Sequence, residues 1–401
     1  MGETGLLIAA VAVFGYALIS RRMGQSILTA PLLFLALGWG LSELDLFKPH
    51  DGEPILHVLA EGALIVLLFS DAAITDSRKL MKRLAWPERM LGLGLPLAIL
   101  FGTGIGLILL PSWSFWEVAL LAAILAPTDA ALGQSVVTNT AVPDKIRQTL
   151  IAESGANDGL ALPAVLFFGC LAVGGVHDQV QVGLVAFLAQ QIGLGALAGV
   201  IIGWVGGKAL VYARTHLSII PTLEGVAGLA LALITYLLAV EIGGNGFLAA
   251  FVAGLAFGRA GGAAHHVEEF LESEGQLLIL AVFFLVGAVL VPEALHHLSF
   301  VFVVIVLLSL LVVRPLAVWL CLWRSDASPR TKLFLGWFGP RGLATVLFAL
   351  LVVGSFDALT KDHEIVTIAT LAVVLSAVMH GVTAAPAARR FGPTLLTETT
   401  Q

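Results

Sequence analysis

Charged residues are scarce in this sequence. Asp, Glu, Lys and Arg make up 12% of 401 residues, about half of the ~25% usual in a soluble domain. That shortage, with 58% hydrophobic residues, excludes a soluble globular fold. Cysteine is nearly absent as well. Cys170 and Cys321 both fall within apolar runs, so no disulfide framework is indicated. No basic patch interleaved with aromatics points to nucleic acid, and no motif calls for a cofactor. The first apolar run is preceded by Glu3 and followed by Arg21 and Arg22. This is the reverse of a secretory signal peptide, so the run is expected to be a mature helix.

What the chain has in abundance is apolar runs close to the ~20 residues that cross a bilayer as a helix. Lipid offers no hydrogen bonds to exposed backbone, and the runs lack the period-2 alternation of a barrel strand, so an all-α polytopic membrane protein is expected. Thirteen spans are read: 6–20, 27–42, 55–74, 90–110, 116–137, 146–173, 181–207, 221–241, 246–258, 270–291, 299–323, 332–354 and 364–388. With the N-terminus outside, seventeen Lys and Arg residues fall in inward loops, including Arg78, Lys79, Lys82, Arg83, Lys145 and Arg389; only Lys48 and Lys361 fall in outward ones. That asymmetry follows the positive-inside rule and puts the C-terminus in the cytoplasm.

Two spans are interrupted in matching ways. Span five contains LAPTDAALG (125–133) and span twelve WFGPRGLAT (337–345). Each sets a proline, Pro127 or Pro340, beside an ionisable residue, Asp129 or Arg341. Proline removes a backbone donor and clashes with the preceding turn, so both helices should unwind there and free polar groups for a ligand. The spans lie seven helices apart and so run in opposite directions. This gives two inverted repeats, about 1–173 and 221–390, joined by a linker helix at 181–207 and followed by a short cytoplasmic tail, 391–401. Paired interrupted helices point to a transporter site at the bilayer midplane.

Span six adds IAESGANDGLALP (151–163). Glu153 with Asn157, and Ser154 with Asp158, stand at i and i+4, so the four polar groups form one stripe. Gly155 and Gly159 repeat at the same spacing and allow another backbone to come close. Intramembrane charge costs at least ~2.5–3.5 kcal/mol per residue, so such a cluster is read as functional. A buried carboxylate can be neutralised by a proton or by a small monovalent cation, and the two exclude each other. If only the neutralised site crosses, cation exchanges for proton with no further coupling device. Hard oxygen ligands suit an alkali cation. The candidates are Asp158, Ser154, Asp129 and the carbonyl freed at Thr128. Asn157 beside Asp158 leaves one titrating carboxylate in the stripe, from which electroneutral one-for-one exchange follows.

Other readings stay open. A cation channel could use the same inverted repeats. An intramembrane hydrolase would use Ser154 as nucleophile, but Ser154 has no G-x-S-x-G context and nothing places His380, the clearly intramembrane histidine, near it. The chain is therefore not read as an enzyme. Arg314, which precedes Pro315, is expected to cap freed carbonyls or to pair with Glu272 or Glu274.

PTDA in one broken helix, ESGANDG in the next and GPRG in the opposite broken helix together resemble the signature set of NhaP-type monovalent cation:proton antiporters, relatives of the sodium/proton exchangers. The resemblance runs over nearly the whole chain. It implies antiport of Na+, or alternatively Li+ or K+, against H+ by a homodimer in the cell (inner) membrane. It implies cation binding by Asp158, Ser154, Asp129 and the Thr128 carbonyl, with Asp71 reaching the site through water from an inward funnel. It implies a buried ion pair of Glu153 with Arg341, and the Asn157 and Asp158 pairing resembles the electroneutral branch. One departure is Ala130, where the family's motif more often has proline.

Overall fold

The computed structural model describes residues 3–23, 29–47, 49–74, 85–129, 132, 134–137, 139, 141–174, 178–217, 219–263, 265–356 and 359–399, and no strand occurs among them. In chain order the helices are α1 (Glu3–Met23), α2 (Ala30–Glu43), α3 (Pro49–Ile74), α4 (Ala85–Leu109), α5 (Phe115–Ile124), the short α6 (Gln134–Val137), α7 (Asp144–Gly174) and α8 (Asp178–Tyr212). Next come α9 (Pro221–Glu241), α10 (Gly246–Arg259), α11 (His265–Leu285, carried on to His296), α12 (Phe300–Cys321), α13 (Pro329–Trp337), α14 (Leu343–Ser355) and α15 (Asp362–Thr399). Eight helices, α3, α4, α7, α8, α9, α11, α12 and α15, are long and apolar enough to cross a membrane; α2, α5, α10 and α14 are shorter apolar helices. These fall on expected spans two to thirteen. The total of thirteen crossings stays an expectation carried by loop charge. Lys48, residues 75–84 and Ala130 lie outside the described residues.

Three helices widen by a π turn just before a proline: α4 at Met90–Gly94 ahead of Pro96, α11 at Val286–Leu290 ahead of Pro292, and α12 at Ser309–Val313 ahead of Pro315. Each turn contains the residue four before the proline, whose carbonyl would otherwise face a ring instead of a donor. Shifting the ladder by one residue relieves that clash without ending the helix. The turn in α12 leads directly into Arg314.

Packing divides the helices into two groups. One is built by α2, α3, α8, α9, α10 and α11, the other by α4, α5, α7, α12, α13, α14 and α15, and they are joined by contacts of α3 with α7 and α14, of α8 with α7, and of α15 with α2 and α11, through one shared core. In the first group the backbones meet closely. A Cβ at Gly254 would overlap the Phe69 carbonyl and one at Gly258 the Ala73 carbonyl, so the small residues of GLAFG (254–258) set the approach of α10 to α3. In the second group, the connection between α12 and α13 is tied down by Asp326, which accepts from Trp86 Nε1 at 2.5 Å and pairs with Lys145 Nζ at 2.6 Å. Partial burial works to raise the Asp326 carboxyl, but the Lys145 and Trp86 donors outweigh it and hold the group below the usual carboxylate range. Its contribution to stability is therefore present at neutral pH and lost as pH falls through that lowered value.

Gly254→Ala should destabilise the α3 and α10 contact by about 1–3 kcal/mol, because the obstacle is backbone and cannot change rotamer. Thermal unfolding in detergent checks this, and a melting temperature equal to that of the wild type would contradict it.

Candidate functional site

The site is assembled from backbone that the helices cannot use. Helix α5 begins with a capping box, in which Ser114 accepts from the Glu117 amide and Glu117 from the Ser114 amide, and it ends at Ile124, three residues before Pro127. Helix α13 ends at Trp337, three residues before Pro340. Residues 127–129 and 338–342 are not helical. The two breaks cross and satisfy each other. The Asp129 amide donates to the Pro340 carbonyl at 2.8 Å, and Asp129 Oδ2 accepts from the Leu343 amide at 3.2 Å, at the positive N-terminal end of α14. In return, Arg341 Nη1 donates to the carbonyls of Ala126 and Pro127, at 2.5 and 2.8 Å, at the negative C-terminal end of α5. Each charge sits at the helix end that favours it.

Glycine is required on both sides of Pro340 by space. A Cβ on Gly342 would fall on the Asp129 carboxylate, and one on Gly339 would fall on the Arg314 guanidinium. Any side chain at these positions would displace a charged group from its partners.

Helix α7 brings the polar stripe to this crossing. Asn157 Nδ2 donates to Thr128 Oγ1 at 2.6 Å, and Thr128 Oγ1 lies 3.4 Å from Ser154 Oγ. Thr128, Ser154 and Asn157 are buried, whereas Asp71, Asp129 and Asp158 are half-buried. Asp71 and Asp129 both lie close enough to act electrostatically on Asp158. One oxygen of Asp158, Oδ1, is shielded from solvent and has no hydrogen-bond partner among the described residues. Among these residues no group of three His, Cys, Asp or Glu side chains is arranged to hold a metal ion. The donor set at the crossing is instead carboxylates with neighbouring hydroxyls and an amide, which suits a hard, weakly bound cation.

Two expectations are corrected. Glu153 does not pair with Arg341. Its two oxygens accept from Arg314 Nη1 and Nη2, both at 2.8 Å, with Glu153 4% and Arg314 6% exposed. Arg341 is turned to the carbonyls freed at the α5 break, which Nη1 holds, while Arg314 reaches Glu153 across the space left by Gly339. Arg314 Nη2 also reaches the Leu335 carbonyl near the end of α13 at 3.4 Å, as the capping expectation had it; Glu274 is not its partner, and the Glu272 side chain lies outside the described ones. The sequence signal for Arg314 was its place inside an apolar span; its partner, 161 residues away, leaves no trace in local spacing. The second correction concerns Gly159. What fills the space above it is the Phe251 ring of α10, not a backbone.

Comparison with known proteins gives a consistent picture. The family model described as "Sodium/hydrogen exchanger, transmembrane" matches residues 8–390. Among curated relatives, the K(+)/H(+) antiporter NhaP of Alkalimonas amylolytica is 27% identical over 377 residues, covering 93% of this chain and 63% of that protein. The K(+)/H(+) antiporter NhaP2 of Shewanella oneidensis is 28% identical over 400 residues, covering 96% and 66%. The chain thus spans just under two thirds of the length of these relatives. Among solved structures, the sodium proton antiporter MjNhaP1 of Methanocaldococcus jannaschii superposes with a TM-score of 0.75 at 20% identity, over 94% of this chain and 98% of that one. This likeness establishes the fold.

The Glu153 and Arg314 pair makes a direct prediction. Glu153→Gln or Arg314→Gln alone strands a buried charge and should cost about 3–5 kcal/mol. The double substitution should cost less than the sum. Glu153→Gln and Arg341→Gln should come much closer to additivity. A double-mutant cycle on unfolding in detergent decides between the two arginines, and strong coupling of Glu153 to Arg341 with none to Arg314 would refute the assignment.

Proposed function

Because this chain belongs to the transmembrane sodium/hydrogen exchanger family, we propose that it is a secondary antiporter exchanging a monovalent cation for a proton by competition at Asp158. Sodium is the first candidate, with lithium and potassium next; the names of the curated relatives carry potassium and that of the structural neighbour sodium. The reading places residues 1–390 in one transport domain of two inverted repeats. It sets the N-terminus outside and the C-terminus in the cytoplasm of the cell (inner) membrane, and the working unit is a homodimer.

The observation that carries the reading is the shielded, unpartnered Oδ1 of Asp158 beside two crossing helix breaks. A buried acceptor without a donor is costly. A proton or a desolvated cation relieves that cost, and one carboxylate cannot hold both. Asp129, engaged at the start of α14, serves the cation together with Ser154 and the Thr128 carbonyl. Asn157 holds Thr128 in place. Asp71 relays the cation from the inward side through water. With Asn157 neutral, the two loaded forms carry equal charge, and the exchange is one for one and electroneutral.

The test uses purified protein in liposomes. Asp158→Asn should insert and fold but lose cation-driven proton flux, and substantial residual flux would sink the assignment. Apparent cation affinity should weaken as pH falls through the pKa of the site, by up to about tenfold per pH unit, because the proton occupies the ligand. An imposed potential should neither drive nor slow exchange. The field acts with ~2.3 kcal/mol per moved charge per 100 mV, so one uncompensated charge per cycle would be obvious. A large ohmic conductance would indicate a channel instead.

A further inference from the structure

Helix α15 presents Ser376, His380 and Thr383 along one face to the end of α13. His380 is 2% exposed and Ser376 is fully buried. The imidazole Nε2 lies 2.8 Å from the carbonyl of Trp337, the last residue of α13, and Nδ1 lies 3.1 Å from Ser376 Oγ. Ser376 Oγ in turn accepts from the Arg341 amide at 2.7 Å. Thr383 adds a second tie by accepting from Trp337 Nε1 at 3.0 Å. The break in the second interrupted helix is thus bridged from one side to the other through two side chains of α15.

The partners fix the direction at one end of the bridge. A carbonyl only accepts, so Nε2 carries the proton that goes to Trp337. At the other end the Ser376 hydroxyl has two lone pairs and one proton, so it accepts from the Arg341 amide and still shares a hydrogen bond with Nδ1. Nδ1 also lies 2.9 Å from the Ser376 carbonyl, an acceptor that would serve an imidazolium. The charged groups that act on the ring are the guanidinium groups of Arg341 at the break and Arg314 on α12. Residues 369–388 of α15 contain no charged side chain, nor does α6, which packs on α15. The rings of Trp337 and Phe338 close the remaining sides.

The lever is a single peptide plane. The Arg341 N–H held by Ser376 and the Pro340 C=O that accepts from the Asp129 amide belong to the same peptide unit, whose two polar groups point in opposite directions across a rigid plane. Rotating the N–H away from Ser376 rotates the C=O away from Asp129. We propose that His380 and Ser376 are positioning residues for transport: the Nε2–H of His380 and the hydroxyl of Ser376 together lock the Pro340 and Arg341 peptide and so fix Asp129 at the cation site. The effect on transport rests on the antiport reading above, while the hydrogen bond from Nε2 to Trp337 does not.

The proposal is tested on the full chain in liposomes with His380→Ala, His380→Gln and Ser376→Ala. Gln offers an N–H for Trp337 and an oxygen for Ser376. His380→Gln should therefore keep half-saturating sodium within about twofold of the wild type and leave the pH profile unmoved. His380→Ala and Ser376→Ala should each raise half-saturating sodium by roughly fivefold or more, as expected for one lost buried hydrogen bond, with a smaller effect on maximal rate. Their double variant should be no worse than the poorer single. Wild-type kinetics in both Ala variants would overturn the proposal, as would a shifted pH profile in His380→Gln. Should His380→Ala fail to fold, Ser376→Ala removes only a hydroxyl and carries the same test. Independently, nitrogen-15 spectra, with the His380 signals assigned by their loss in His380→Gln, should show Nε2 protonated across about pH 6 to 9. A deprotonated Nε2 in that range would refute it. If the antiport reading itself is wrong, the wild type shows no sodium-driven proton flux while the ring spectrum still reports a protonated Nε2.

Discussion

Two helices that stop in the middle of an apolar core leave backbone donors and acceptors with no water to turn to, and the rest of the structure depends on how those groups are satisfied. Here each break supplies the other. The Asp129 amide takes the Pro340 carbonyl, Arg341 takes the carbonyls of Ala126 and Pro127, and the Asp129 carboxylate takes the Leu343 amide. What the crossing does not settle is taken up by α15 through Ser376 and His380. Unpaired backbone in a low-dielectric interior is expensive enough that neither break would be tolerated alone. The site therefore exists only where both cross, and the position of Asp129 is a property of the pair of breaks.

The sequence revealed this architecture unevenly, for physical reasons. Helical class was plain from the lengths of apolar runs, and both breaks were plain because proline acts locally on its own turn. The stripe of Glu153, Ser154, Asn157 and Asp158 was plain because an i, i+4 spacing is fixed by helix geometry. The partner of Glu153 was not plain. Arg314 and Arg341 are both intramembrane arginines near prolines, and choosing between them requires knowing which carbonyls the α5 break frees and where Gly339 leaves room. The role of His380 was hidden in the same way. Ser376 stands four residues back on the same helix, but the Trp337 carbonyl lies on another helix 43 residues back, at a break, and a histidine in an apolar run carries no sign of it.

The π turns reveal another limit of pattern reading. Each of Pro96, Pro292 and Pro315 could have been taken as a kink of the kind found at Pro127 and Pro340. The difference lies in the residues around the proline. Where the helix can continue, one residue of extra width absorbs the missing donor, and the ladder resumes. Where glycines flank the proline and charged groups compete for the freed carbonyls, as at Pro340, the helix stays open. Proline alone does not distinguish a widened turn from a site: Pro127 opens its helix with no glycine beside it, and Pro315 stays in a helix with Arg314 beside it.

The pairing of charges then narrows what the opened core can do. Arg314 is matched by Glu153 in two-point contact, Arg341 by the terminal carbonyls of α5, and the engaged oxygen of Asp129 by the start of α14. These are pairings of fixed groups, and none leaves a donor aimed at Asp158 Oδ1. Had either arginine reached that oxygen, the carboxylate would be permanently neutralised and could not exchange loads. In the proposed mechanism, withholding both guanidinium groups from Asp158, one by a carboxylate and one by helix ends, leaves its oxygen to be met by something mobile. On that proposal the two buried pairings and the Asp158 carboxylate are parts of one arrangement, in which the strength of the first is the condition for the lability of the second.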